Sequence, residues 1–484
     1  MKFICTTRVK KILSSIAFVL IAVLAQSQSS TSNPYSRFGI GILENPGSAV
    51  HFGMGGVTTS IADGNSINLF NPASYSQLNR TVFQIGGAGQ FQTLENATGS
   101  EKYSNGRVND ISIGLKKSTS PWGFALGITP FSSVGYNLTS TVSINDSTST
   151  SYLYDGTGGI NKLVVGAARQ FKLYKKRVVD PSFTGNAKQI AEMRIKESND
   201  SLSQIAPELS IGLNANYYFG SIQLDRRVQF SNTTFFSTRI TEKTTIYDFD
   251  FEAGAIYTMP LSVKWDGRKI KQATHLRVGA DYQLGTSLKT KNDELGMAYL
   301  YSSFTESDID TTYYTGIQKG TFNLPSRLSL GASIIMSTEG GRVISFNGEY
   351  RQQDWSGNSY LLGSDGLSNL KKYQNIAFGV EYTPHSIDKA KSLLGRSTFR
   401  MGVRNTESYL SLSDQNISQN AVSAGISIPI LASKSTSKVN FGIEYGTGGT
   451  LDNNLLQEEF VRVQFGFSLT PYFLNPWFVV RKYD

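Results

Sequence analysis

Residues 208–220 read ELSIGLNANYYFG. Leu209, Ile211, Leu213, Ala215, Tyr217 and Phe219 occupy every second position, and the residues between them are mostly small or polar. A strand sends successive side chains to opposite faces, so this stretch has one greasy face and one wet or narrow face. The run from Leu209 to Phe219 matches the roughly 9–11 residues that carry a tilted strand across a bilayer, and it ends in rings that favour membrane interfaces.

The pattern recurs outward from there. Trp122, Phe124, Leu126 and Ile128 alternate, as do Tyr247 to Tyr257, Leu276 to Leu284, Leu328 to Met336 and Val461 to Leu469. A soluble β protein buries the apolar face, whereas a membrane barrel turns it to lipid and wets the other. Both give the same alternation, so run length and aromatic ends decide, and they select the barrel. The spans are 81–92, 107–117, 121–144, 159–173, 208–224, 245–263, 273–290, 324–338, 342–353, 373–384, 397–407, 420–431, 438–447 and 458–470. This predicts an all-β fold, a transmembrane antiparallel barrel of about 14 strands over 81–470. With a periplasmic start, the short connections 118–120, 339–341 and 432–437 fall on the periplasmic side. The longer polar connections 225–244, 291–323, 354–372 and 408–419 fall outside, which is the usual asymmetry of such barrels.

The first 25 residues read as a secretory signal peptide. Lys2, Arg8, Lys10 and Lys11 precede an apolar run from Ile16 to Leu24, and Ala22 and Ala25 give a small-residue cleavage signature, with Gln26 to Ser30 allowing a site a few residues later. That run is too short for a spanning helix, which needs roughly 20 apolar residues. The one cysteine, Cys5, lies inside the signal, so a disulfide framework, zinc cluster or thiol nucleophile is excluded from the mature chain. The net charge of +9 includes four signal charges, and the remaining 9 − 4 = +5 is mild for an exported chain of this length, so no nucleic-acid partner is expected.

Chemistry-bearing groups are sparse. His51, His275 and His385 are too scattered for a metal or a Ser-His-Asp arrangement, so the chain reads as no enzyme, with no metal or cofactor. Asp248 and Asp250 alternate with Tyr247, Phe249 and Phe251, which points both acids into a lumen. Gly53-Met54-Gly55-Gly56 lacks the Lys-Ser/Thr of a phosphate loop, and its glycines are better suited to close backbone packing in a narrow place.

Before the first strand, residues 26–80 keep neither a period of two nor one of 3.6, and are rich in Gly and Pro. Asn71-Pro72-Ala73 makes a capped turn, Asn accepting backbone N–H groups and Pro fixing φ. Here the stretch FGMGGVTTSIADGNSINLFNPASYSQL resembles the N-terminal hatch of the FadL-like outer-membrane transporters of long-chain fatty acids and other hydrophobic compounds. The matching residues are Gly53, Gly55 and Gly56, then Ala62-Asp63, then Asn71, Pro72 and Ala73. Gly64 departs from the pattern, where a second acid is frequent. The resemblance implies a hatch over 26–80 that plugs a fourteen-stranded barrel and, in transporting members, shifts to pass an apolar ligand sideways into the membrane.

Transport of hydrophobic small molecules such as long-chain fatty acids across the bacterial outer membrane is thus the leading functional expectation. Outer-membrane lipid and a hydrophobic ligand would be its partners. The alternative is a non-transporting barrel subunit that docks protein partners in a secretion or surface-assembly complex. A charged insertion at 174–207 and an aromatic tail at 471–484 keep a periplasmic or secretion-system partner open. The insertion reads as a solvated loop or a binding arm, and the tail as a periplasmic peg or a fifteenth strand. A gap in the wall beside the hatch would favour transport.

Overall fold

The structure, a computed structural model, describes residues 33–470 apart from short internal stretches, the longest of which are 175–191, 196–204, 358–369 and 431–435. The signal peptide, most of the 174–207 insertion and the whole tail lie outside the described residues.

The strands are β1 (Ile42–Leu43), β2 (Val82–Asn96), β3 (Gly99–Lys116), β4 (Trp122–Asn145), β5 (Thr148–Lys172), β6 (Glu208–Phe230), β7 (Ser237–Asp266), β8 (Lys269–Gln283) and β9 (Thr286–Ser302). They continue with β10 (Thr305–Tyr314), β11 (Gln318–Leu324), β12 (Arg327–Thr338), β13 (Val343–Asp354), β14 (Lys372–Thr383), β15 (Thr398–Leu412), β16 (Gln415–Pro429), β17 (Lys438–Gly449) and β18 (Gln457–Leu469). Strands β2 to β8 and β12 to β18 form an antiparallel ring of fourteen, closed where β18 pairs with β2. The expected barrel is therefore present. Closure leaves the ring without an edge, which a sheet in hydrocarbon requires.

Alternation sets the two faces as expected. Leu213, Phe251, Phe378 and Phe465 are more than half exposed on the outside, whereas Asn214, Glu252, Asp281 and Glu349 are buried inside. Asp250 is buried in the lumen, held by Asn216 and Tyr218.

The long outer connections need correction. Most of 225–244, 291–323 and 408–419 is not loop but strand, because the backbone ladders continue past the membrane belt. On β6 the outward apolar run ends at Phe219, yet the strand continues to Phe230 paired with β7 as far as Val228. At about 3.3 Å per residue, that is on the order of 30 Å of sheet beyond the belt. β4, β5, β6, β7, β9 and β10 together build this projecting sheet. The span 273–290 also divides, into β8 and β9 on either side of Leu284-Gly285.

The interior is occupied by the chain's own beginning. Residues 33–81 are largely buried, with one helical turn α1 (Ala49–Phe52) and 3-10 turns at Pro34–Arg37 and Pro72–Gln77. Residues 47–81 form a plug at mid-height, and residues 33–45 form a strap that climbs the wall towards the outer end.

Candidate functional site

The plug seats against wall positions that carry no side chain. Inward glycines face each other across neighbouring strands: Gly212 and Gly254, Gly279 and Gly331, Gly379 and Gly402, Gly425 and Gly442, Gly86 and Gly466. A Cβ at Gly212 would lie 2.4 Å from the Pro72 carbonyl carbon, one at Gly279 2.2 Å from Thr59 O, and one at Gly402 2.2 Å from Gly55 N. Plug backbone thus lies directly on wall backbone around most of the ring. At Gly212, Gly254, Gly279, Gly379 and Gly402 glycine is a matter of space, since a side chain there would displace the plug.

Charged groups then hold it. Glu349 accepts N–H bonds from Thr58 and Thr59, the latter at 2.7 Å, and pairs with Arg351. Asp281 accepts from Thr59 Oγ1 at 3.0 Å and pairs with Arg327, which also meets Glu252. Ser60 and Ser333 share a hydrogen bond of 2.7 Å. The ion pairs lie within the wall, so unseating the plug would leave them in place but strip Glu349 and Asp281 of the hydrogen bonds from Thr58 and Thr59, each worth about 1.5–3 kcal/mol to a charged group.

The sequence-identified residues all lie in this plug. Gly55 and Gly56 take left-handed φ of 70° and 83°, which turns the chain after α1, and Gly53 abuts Gly425. Asn71 caps the second 3-10 turn, accepting from Ala73 N at 3.0 Å and donating to Thr59 O at 2.6 Å, which ties two plug segments together. Pro72 sits on Gly212 and Gly254, and Ala73 is fully buried. Asp63 accepts from Asn65 N at 3.0 Å and lies 3.7 Å from Lys438. Burial works to raise its carboxyl, but Lys438 and Arg400 outweigh that and hold it below the ordinary value. Gly64 has a steric reason: a Cβ there would strike the Asn79 amide at 2.1 Å. His51 is fully buried, and burial, with Arg400 adding to it, pulls it down to about 4, so it is neutral.

Beside the plug the wall has a gap. β3 pairs with β4 only over Ile111–Lys116 against Gly123–Ile128. Asn109 is an extra residue opposite the Gly86-Gly87 step of β2, and such a bulge bends its strand away from its neighbour. Above it, β3 keeps only β2, and among the described residues β4 meets only the strap on that side. There Ile42 and Leu43 pair with Ser133 and Ser132, Glu44 N donates to Phe131 O at 3.0 Å, and Asn33 N donates to Gly135 O at 2.9 Å. The Glu44 carboxylate spans the gap, meeting Arg107 on β3 and Ser133 on β4.

The lumen above the plug is apolar, with Ile160, Tyr218, Ile246, Leu288, Phe322 and Trp355 packed around Tyr35 and Ile40 of the strap. A pocket of about 60 Å³ remains between the strap and β14, β15, β16 and β18. The wall glycines and the gap carry no local motif. Gly–Gly register across strands becomes visible only once pairing is known.

A closed fourteen-strand wall with its apolar face outward and its lumen stoppered by the N-terminal segment defines a plugged barrel of the bacterial outer membrane. The chain belongs to the BamG family, whose family model matches residues 8–178 and 201–484. No curated protein matches it. Among solved structures, the toluene transporter TodX of Pseudomonas putida aligns with TM-score 0.52 at 13% identity over 88% of this chain and 99% of its own. The toluene transporter TbuX of Ralstonia pickettii aligns with TM-score 0.51 at 14% identity over 88% and 98%. A FadL homologue of Pseudomonas aeruginosa gives TM-score 0.49 at 11% identity over 89% and 99%. At such identities the likeness is one of fold, and the fold is that of the TbuX and TodX barrels.

Proposed function

We propose that this barrel passes apolar small molecules from the outer end of its lumen sideways into the membrane, through the gap between β3 and β4. The observation that carries this reading is the gap itself, which among the described residues is covered by the chain's own strap. A vertical route is disfavoured by the charged, fully partnered seat of the plug, which an apolar solute could not solvate. The strap is joined to β4 by a few backbone bonds, each worth about 1 kcal/mol, and across the gap by the Glu44 carboxylate to Ser133 and Arg107. Toluene, named for TbuX and TodX, and long-chain fatty acids are cargoes of suitable apolar character. The test is accumulation of labelled toluene and labelled fatty acid in cells with and without the gene. Equal accumulation of both would sink the proposal.

A second reading rests on the projecting sheet. It is far longer than membrane crossing requires, and Phe235 and Phe236 at the β6–β7 turn are more than half exposed. Such a surface suits docking of an extracellular protein partner. A photo-crosslinker at Phe236 that captures one protein in intact outer membranes, with loss of that product on Phe235→Ser, would support this reading. Solvent quenching alone would refute it.

A further inference from the structure

We infer that the outer face of β7, β9 and β11 holds a phosphate group of the outer-leaflet glycolipid, with Lys291 and Lys319 as its cations. Strand pairing builds the patch. Lys289 lies opposite Tyr247 of β7 and Thr321 of β11, and two residues farther from the bilayer Lys291 lies opposite Thr245 and Lys319. The alternate residues Ile246, Leu288 and Phe322 are buried in the lumen, so the three lysines point outward, where they are exposed. Below them the same face carries Leu284, Tyr282, Phe249 and Phe251, all exposed, which is the lipid-facing belt.

Lys291 and Lys319 are like charges on directly opposed positions, an arrangement that destabilises a strand pair unless a counter-charge lies between them. Among the described residues no carboxylate forms an ion pair with either. Asp248 is taken by Lys289 at 3.3 Å, and Asp293 faces Lys243 two residues farther out. The Lys291 ammonium instead lies 5.2 Å from the centre of the Tyr247 ring, which is two residues nearer the bilayer, so its stem runs down towards the headgroup layer. A phosphate monoester carries a charge of about −1.5 to −2 at pH 7 and three acceptor oxygens, which matches two lysines acting as point charges. The glycolipid of the outer leaflet presents such phosphates at this level. The patch is also local. Two residues beyond the Tyr445 ring on the far side of the barrel, the outward row is Asn405, Asn420, Thr447 and Glu459, without a cation.

The test is native mass spectrometry of the purified full-length barrel in detergent, with diphosphorylated lipid A, dephosphorylated lipid A and inorganic phosphate as probes. The diphosphorylated lipid should be retained about tenfold or more over the dephosphorylated one, as two lysines at an anionic lipid surface provide. Inorganic phosphate at equal concentration should not displace it, because the acyl chains hold to the apolar face below. Lys291→Gln with Lys319→Gln should remove the preference, and so should Lys319→Glu, which supplies the missing counter-charge from the sheet itself. Lys264→Gln with Lys271→Gln, at the periplasmic ends of β7 and β8, removes as much charge elsewhere and should leave the preference intact. Heat-modifiable gel mobility checks folding, and either folded patch variant decides alone. Equal retention of the two lipids, a preference that survives in a folded patch variant, an equal loss in the periplasmic pair, or displacement by inorganic phosphate overturns the site.

Discussion

Ser133 Oγ donates to Glu44 Oε1 at 2.7 Å while the other oxygen of that carboxylate pairs with Arg107, so one strap residue holds both lips of the gap between β4 and β3. Arg107 belongs to the part of β3 that has already left β4, beyond the Asn109 bulge. The lips are therefore joined through Glu44 rather than by a strand ladder.

Glu44→Ala should loosen the gap without dismantling the ring. Loss of a largely buried charge-assisted pair and one hydrogen bond costs about 3–5 kcal/mol locally, and the fourteen-strand ladder is untouched. The expected outcome is faster entry of a lipophilic dye into cells carrying the variant, with heat-modifiable gel mobility unchanged. Dye entry equal to wild type would show that Glu44 does not control the gap.

Two engineered disulfides separate movement of the strap from movement of the plug. Cys5 is the sole cysteine of the sequence, so in a Cys5→Ser background each engineered pair would be the only one present. Ile42 and Ser133 are Cα partners in an antiparallel ladder, a separation that a disulfide accommodates. Ile42→Cys with Ser133→Cys should block passage when oxidised and restore it on reduction. Ser60 and Ser333 already touch at 2.7 Å, and Ser60→Cys with Ser333→Cys should pin the plug while leaving passage intact. Inhibition by the second pair instead of the first would reassign the moving part to the plug.

The ring was legible because its determinant is local: period-two alternation at the length of a bilayer crossing, as in Leu209 to Phe219. The outer ends were not. Residues 237–244 and 292–299 are polar and read as loop, yet they pair with each other residue by residue. One face of that sheet is buried, but largely by polar side chains such as Ser237, Glu242 and Thr244, so no apolar alternation marks it. The plug could be placed through its glycines and the Asn71-Pro72-Ala73 turn. Glu349, Asp281 and Arg327 lie far from it in sequence, and partnership over such distances leaves no local trace.

Wall glycines can be tested singly. Gly402→Val places a branched side chain where a Cβ would already lie 2.2 Å from Gly55 N, against plug backbone that has no rotamer to change. Overpacking of this kind costs about 1–3 kcal/mol or more, so the variant should lose thermal stability or expose residues 47–81 to protease. Met401→Ala, one residue away on the lipid face, should do neither. Equal behaviour of the two variants would mean that the plug does not depend on its contact with the wall.

The seating of the plug should also depend on acid. His51 is buried, its Nδ1 faces Ser48 N at 3.3 Å, and its Nε2 has no partner. Burial, then Arg400, lowers it to about 4, against an ordinary value of 6.5, with Asp63 opposing. An unseated plug therefore takes up a proton between pH 6.5 and 4 that the seated plug refuses. Seating is fullest above about pH 6.5 and weakens as pH falls towards 4, by at most about 3 kcal/mol. Asp63, held low by Lys438 and Arg400, adds a loss at still lower pH, as the fall passes through its depressed value. Thermal unfolding of the detergent-solubilised barrel at pH 7.5 and pH 5 reads the first window. Wild type should lose stability across it, and His51→Gln should flatten the change while keeping the Asp63 effect below about pH 4. An identical slope in the variant would remove His51 as the source.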